Sequence, residues 1–439
     1  MNKVFIKHNP YKLSTDIKVD GEDPKKDRKL NFEDRRLQEW FYELPRMLKD
    51  DYSSKKFQIT FHGTKLDFED MKELIPLAKK QHINFELEHI KGQEIEDKQE
   101  KIEKLFQEIQ SGPIDELKSS KIKDAFKSAK NKDFKVNVIA TMSSGKSTLI
   151  NALLGNKLMP SKNQACTAII TEIKDTDEKI FSAKVYNKNG QEIDRCNSLT
   201  YETMQKINSN ERVSKVCIEG DIPFVNSEDI SLVLVDTPGT NNSRDEAHRE
   251  VTYNLLKENH EDLVLYVMNA TQSGIKDDEQ LLKYIGNIMK TNGKQSRDRF
   301  IFVLNKLDAF DEEDDKVTEL LIETKEYLED TLGIENPNIY PISASTALNI
   351  RSIENIKKEH ELLKFRAVTI KFNEEEQLHL EKYAPLPKFI KQGIEERLKR
   401  AKERGDKMEE ALIHTGIISL EEAIKFYLRT KTIDFILVD

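Results

Sequence analysis

At 439 residues, 34% of them charged and 37% hydrophobic, the chain is long enough for two to four domains and a large core. Its net charge of −9 argues against nucleic-acid binding as the main role. No apolar run approaches the roughly 20 residues that span a bilayer, and Met1–His8 lacks the apolar centre of a signal peptide.

The three cysteines, Cys166, Cys196 and Cys217, are odd in number and lack metal-ligand spacing, so they read as small apolar residues in a cytoplasmic protein. Residues 1–90 read as a small α/β accessory domain. Val4-Phe5-Ile6, Phe57–Phe61 and Ile83–Leu87 have strand patterns, the last two alternating cleanly. Leu37, Trp40, Phe41 and Leu44 share one helical face, with Trp40 expected in the core. Asp67 or Asp70 is placed to cap a helix through Met71, Leu74, Ile75 and Ala78. His62, His82 and His89 are scattered and read as ordinary histidines. Residues 91–133 form a helical connector, with Ile102, Leu105, Phe106 and Ile109 at i, i+3, i+4, i+7 spacing. Gly112-Pro113 breaks that helix, and Ile114, Leu117, Ile122 and Phe126 resume the pattern.

From Phe134 the chain alternates strands and helices. Val136–Ile139, Ile230–Val235, Leu263–Met268, Phe300–Leu304 and Ile339–Ile342 are apolar runs typical of a doubly covered, mostly parallel sheet. Ile169–Ile173 and Phe181–Tyr186 alternate and are expected as an antiparallel edge. Asn187–Asn226 is polar and reads as an insertion. The acidic run Asp308–Asp315 reads as a solvated loop. After Leu348 the chain turns helical, interrupted at Tyr383–Pro387. Ser419 and Glu422 form a capping-box pattern for a last helix, and the final residues Ile433–Asp439 are apolar for a tail.

The chemistry gathers at strand ends. After the first strand comes Ala140-Thr141-Met142-Ser143-Ser144-Gly145-Lys146-Ser147-Thr148, then the helical run Leu149–Leu154. Strand, small-residue loop, Gly-Lys-Ser and helix is a phosphate-binding P-loop. Its N–H groups and the helix N-terminus face phosphates. Lys146 would reach the β- and γ-phosphates, and the Ser147 hydroxyl would take a Mg²⁺ position. Ala140 stands where the usual pattern has glycine, so that position needs no positive φ. Val235-Asp236-Thr237-Pro238-Gly239 ends a second strand: Asp236 would hold Mg²⁺ and the Gly239 N–H would meet the γ-phosphate. Asn305-Lys306-Leu307-Asp308 ends another. The Asp308 carboxylate can accept the N1–H and N2 amino protons of guanine, whereas adenine has no matching donors. Asn305 would brace the loop and the Lys306 stem would cover the base. Ser343-Ala344 lies in a loop that would close over the guanine. Four such motifs in order point to GTP, at the carboxyl edge where ligands bind such sheets. Thr167 is the candidate Mg²⁺ ligand from the mobile first switch, with Thr171 or no role as the alternatives.

Ser143–Gly155, Pro160-Ser161, Ala165-Cys166-Thr167, Asp236–Gly239 and Asn269-Ala270-Thr271 together resemble the bacterial dynamin-like GTPases, over about residues 134–350. The resemblance implies an α/β fold: a P-loop GTPase domain with a mostly parallel sheet, flanked by helical neck segments and a small N-terminal α+β domain. Residues 351–439 would complete the neck. It implies GTP hydrolysis to GDP and phosphate, with Ser143 orienting water or a monovalent cation. Thr240 stands where small GTPases carry a water-orienting glutamine, so activation by dimerisation across the nucleotide face is implied. A peripheral role at a membrane surface, or with a protein partner, follows from the same likeness. Fewer than a hundred residues follow the guanine loop, and no lipid-inserting helix stands out. The alternative is a slow GTP-dependent switch or scaffold that signals to a protein partner.

Overall fold

The computed structural model describes residues 2–9, 14–24, 37, 40–41, 44–52, 54–72, 74–94, 98–112, 133–140, 143–160, 169–225, 231–237, 252–257, 262–272, 279–291, 299–310, 316–353, 359–432 and 436–437. They fall into two units. The first comprises Met1–Lys132, Pro387–Phe389 and Arg429–Asp439; the second comprises Asp133–Leu386 and Ile390–Leu428.

The first unit is built on strands β1 (Asn2–Asn9), β2 (Ser14–Val19), β3 (Lys56–Gly63) and β4 (Asn84–Lys91), in the order β2-β1-β3-β4. β1, β3 and β4 are parallel and β2 folds back antiparallel on β1. The alternation seen in Phe57–Phe61 holds: Phe57, Ile59 and Phe61 are all buried, in one core with Leu37, Trp40, Phe41 and Leu44. The helical stretch after β3 differs from expectation. It is two helices, Lys65–Lys72 and Leu74–Lys80, and Thr64 caps the first. The Thr64 hydroxyl oxygen accepts from the Asp67 N–H at 3.0 Å and donates to the Asp67 carboxylate at 2.8 Å. The connector helix runs Lys98–Ser111 and stops before Gly112-Pro113; Ile114–Phe126 lie outside the described residues. The apolar tail contributes β15 (Ile436–Leu437), antiparallel to β5 (Gln93–Glu94).

The second unit holds a nine-stranded sheet. Its strands are β6 (Asp133–Ala140), β7 (Ile170–Asp175), β8 (Ser182–Asn187), β9 (Glu192–Cys196), β10 (Val213–Gly220), β11 (Ser231–Asp236), β12 (Leu263–Asn269), β13 (Phe300–Asn305) and β14 (Asn338–Pro341). The order is β14-β13-β12-β6-β11-β7-β10-β8-β9. β14, β13, β12, β6 and β11 are mutually parallel. β12 and β13 are buried at every residue, which is why their sequences are unbroken apolar runs.

Two expectations are corrected here. β7 is no edge strand: it lies inside the sheet, antiparallel to β11 and parallel to β10. The polar stretch Asn187–Asn226 supplies that continuation, as β9, helix Tyr201–Asn208 and β10. A register shift between Val213 and Lys215 broke the period-2 pattern that marks β10. At the far end, Ser419 caps nothing. The last helix begins at Ile417, after Gly416 with φ +76°, and Ser419 is buried within it.

The chain leaves β6 for β7 to β11 on one side, then crosses to β12, β13 and β14 on the other. β6 is therefore the topological switch point, and the crevice at its carboxyl end is the fold's natural ligand site. No described helix is long and apolar enough to cross a membrane.

Candidate functional site at the carboxyl edge of the central sheet

The loop after β6 enters helix Lys146–Leu154 through two left-handed residues, Ser143 (φ +64°) and Gly145 (φ +91°). Ala140 remains in the strand, without positive φ, as its side chain requires. Gly145 is constrained twice: a Cβ there would also lie 2.4 Å from the Asn305 amide nitrogen. The Lys146 ammonium ion-pairs with Asp236 at the end of β11 and donates to the Thr237 carbonyl. The Thr237 hydroxyl, fully buried, donates to the Val138 carbonyl of β6 at 2.8 Å, tying the two strand ends together.

Asn305, at the end of β13, links two loops. Its amide donates to the Ser144 carbonyl at 2.9 Å, and its carbonyl oxygen accepts from the Ala344 N–H at 3.0 Å. Lys306 turns the chain with φ +75°, and the short helical turn Leu307–Ala309 follows. The Ser343 hydroxyl donates to the Asp308 carboxylate at 2.7 Å. Ser343 is also the N-cap of helix Ala344–Arg351, accepting from the Thr346 N–H at 3.3 Å. Ser144, Gly145, Lys146, Ser147, Thr148, Asp236, Asn305, Lys306, Asp308, Ser343 and Ala344 thus all lie at the carboxyl ends of β6, β11, β13 and β14, in the loops and helix starts that follow. Thr167 and Gly239 lie outside the described residues, as do Thr240, Asn241 and Asn242. The Ser147 hydroxyl in the first turn of the helix and the Asp236 carboxylate at the end of β11, ion-paired to Lys146 of that same turn, are hard oxygen donors of the kind that suits Mg²⁺.

Three supports of the site carry no motif signature. Asn151 holds the chain leading toward Thr167: its amide donates to the Met159 carbonyl at 2.7 Å and its oxygen accepts from the N–H groups of Leu158 and Met159. Arg351 donates to the Ala152 carbonyl at 2.6 Å and ion-pairs with buried Glu421 of the last helix. The Ser343 N–H donates to the Thr415 carbonyl at 2.9 Å. Only the Asn151 position stood out in sequence, and then only as part of the resemblance.

The Dynamin family model matches residues 136–307. Over that stretch the chain is similar to the dynamin family. That match runs from β6 through the P-loop, Asp236 and Asn305 and ends at Leu307, one residue before Asp308. A protein of Caldicellulosiruptor sp. named "Uncharacterized protein in xynA 3'region" is 29% identical over 273 residues, covering 62% of each chain. The bacterial dynamin-like protein of Nostoc punctiforme is 27% identical over 171 residues, 36% of this chain and 23% of that one. A solved structure of an oligomerised bacterial dynamin pair, described as a mechanism for long-range sensing and tethering of membranes, has a TM-score of 0.40 and 20% identity. It is matched over 74% of this chain and 54% of that one. The chain spans less than two thirds of the length of each of these three. Within the matched stretch, Asn269 at the end of β12 accepts from both the N–H and the hydroxyl of Thr271, at 3.1 and 2.9 Å, which fixes the turn beside Asn305.

Proposed function

We propose that this protein binds GTP and hydrolyses it to GDP and phosphate. The observation that carries the reading is the double hydrogen bond of Asn305, which joins the P-loop to the loop whose Ser343 holds Asp308. Phosphate-type and base-type elements therefore sit on one bridge.

In this reading Ser144, Gly145 and Thr148 line the phosphates with backbone and helix N-terminal N–H groups. Lys146 exchanges Asp236 for the γ-phosphate oxygens. Ser147, Asp236 and Thr167 hold Mg²⁺, which when bound neutralises charge on the phosphates. Asp308 accepts from N1–H and N2–H of guanine, Lys306 covers the ring, and Ser343-Ala344 close the base side. Ser143 holds the attacking water or a monovalent cation, and the Gly239 N–H contacts the γ-phosphate. Thr240 supplies no glutamine, so a second copy across the nucleotide face orders the water. The reading extends to GTP-dependent homodimers or larger assemblies acting peripherally at a membrane surface. The family match, rather than any described surface, supports that extension.

The test is base preference. Asp308→Asn should shift preference from guanosine to xanthosine triphosphate by a factor of about 10² or more, because a carboxylate reading two donors is replaced by an amide facing one donor and one acceptor. Lys146→Ala should abolish turnover of both. An unchanged preference in the first variant, or retained turnover in the second, sinks the assignment.

A further inference from the structure

The loop carrying Ser343 and Ala344 is not held by the sheet alone. Its Ser343 N–H is bonded to the Thr415 carbonyl at 2.9 Å, in the turn between helix Lys407–His414 and helix Ile417–Thr432. The turn is pressed against the loop's own strand. At Gly416 a Cβ would lie 2.2 Å from the Pro341 carbonyl oxygen, 3.4 Å from Ile342 and 3.2 Å from Leu380. Thr415 and Ser343 are fully buried.

Directly before this turn lies a buried polar cluster. The His414 ring stacks on His379, with centroids 3.7 Å apart and planes 6° from parallel. His414 Nδ1 is 3.1 Å from both carboxylate oxygens of Glu381. Leu380, between His379 and Glu381 in sequence, is the residue that packs on Gly416. The buried Nε2 of His379 has no hydrogen-bond partner. Two stacked imidazoles and a carboxylate are an expensive way to fill a core that apolar side chains would fill more stably.

We propose that His379, Glu381 and His414 are positioning residues for base recognition: they fix the Thr415 carbonyl, which sets Ser343 and through its hydroxyl the Asp308 carboxylate. The inference rests on the reading of Asp308 as the guanine acceptor. The His379 ring holds this geometry in its neutral form. Burial, and then the neighbouring His414, push His379 down to about 4. Lys382 acts in the same direction, while Glu381 and the Asn373 carbonyl oppose it. One turn back on the His414 helix, Glu410 is engaged by Lys407 at 3.0 Å, and on the helix before the cluster Lys371 is turned to the Phe310 carbonyl. Glu381 is thus the carboxylate in contact with the stack, and one carboxylate compensates one proton.

The experiment measures binding of a fluorescent non-hydrolysable GTP analogue and of inorganic triphosphate to the full-length protein at about pH 7.5, for wild type, His379→Phe and Glu381→Gln. Thermal unfolding of each variant reports folding. Phe keeps a flat stacking ring, so His379→Phe should hold its guanine affinity within about twofold of wild type. Glu381→Gln, which replaces the charge-assisted bond to the His414 ring with a neutral one, should bind the guanine analogue about fivefold more weakly and should keep its affinity for inorganic triphosphate. An unchanged guanine affinity in Glu381→Gln, or an equal loss for inorganic triphosphate, overturns the positioning role while leaving GTP binding intact. If His379→Phe does not fold, Glu381→Gln decides alone. If wild type binds no guanine analogue, the reading of Asp308 fails and this inference falls with it.

Discussion

Gly145 combines a left-handed backbone with a close approach, and each alone would exclude a side chain. Gly145→Ala pays about 1–2 kcal/mol for the backbone conformation, and its methyl must also displace Asn305, which a Cβ would approach to 2.4 Å. We expect it to weaken a fluorescent GTP analogue by more than about tenfold while lowering the melting temperature only modestly; equal affinity would show that the Asn305 bridge is dispensable. Asp175 is a liability of a different kind. It ends β7 with its side chain buried, accepts from the Ile222 N–H at 2.9 Å through one oxygen, and has no partner for the other. Burial, with Asp221 and Asp177 adding, pushes it up to about 6. The unfolded chain releases this proton near 3.8. Between that value and 6 the folded protein keeps a proton that the unfolded one has lost, so stability falls as pH rises through this window and the full penalty stands above it. Asp175→Asn should therefore stabilise the protein at pH 7.5 by about 1 kcal/mol, with the advantage shrinking towards pH 4; chemical denaturation at both pH values checks it.

Among the elements, the P-loop helix and the last helix are joined by Arg351, which bonds the Ala152 carbonyl and the Glu421 carboxylate at once. Removing the guanidinium strands Glu421, which is 3% exposed. Arg351→Leu should cost about 3–5 kcal/mol, and the double change Arg351→Leu with Glu421→Leu should recover most of it. Equal losses in single and double variants, measured by denaturant unfolding, would mean that the pair is not coupled. These elements also separate what sequence reveals from what it hides. Leu263–Met268 and Phe300–Leu304 were legible because strands covered on both faces must be apolar throughout. Asp236, Asn305, Asp308 and Ser343 were legible because their residue types recur at strand ends, and the fold does bring those ends to one edge. β10 was missed because a bulge breaks its alternation. The Thr415 contact was hidden for a more basic reason: a backbone carbonyl belongs to every residue and leaves no mark in the sequence. Ser419 misled because a capping pattern one turn inside a helix reads like one at its start, whereas Gly416 had already turned the chain.

For the whole molecule, the testable property is concentration dependence. If a second copy completes the site, the specific GTPase rate should rise several-fold as protein concentration passes the dimer dissociation constant. A flat, slow rate would favour the switch reading instead. The N-terminal unit has its own sheet and core and has no part in that prediction. One amide side chain sets a wider limit. Because Asn305 answers to the Ser144 carbonyl on one side and to the Ala344 N–H on the other, any substitution at this one position loosens two loops at once. In the proposed reading, base preference can therefore be altered at Asp308 while the bridge made by Asn305 stays in place.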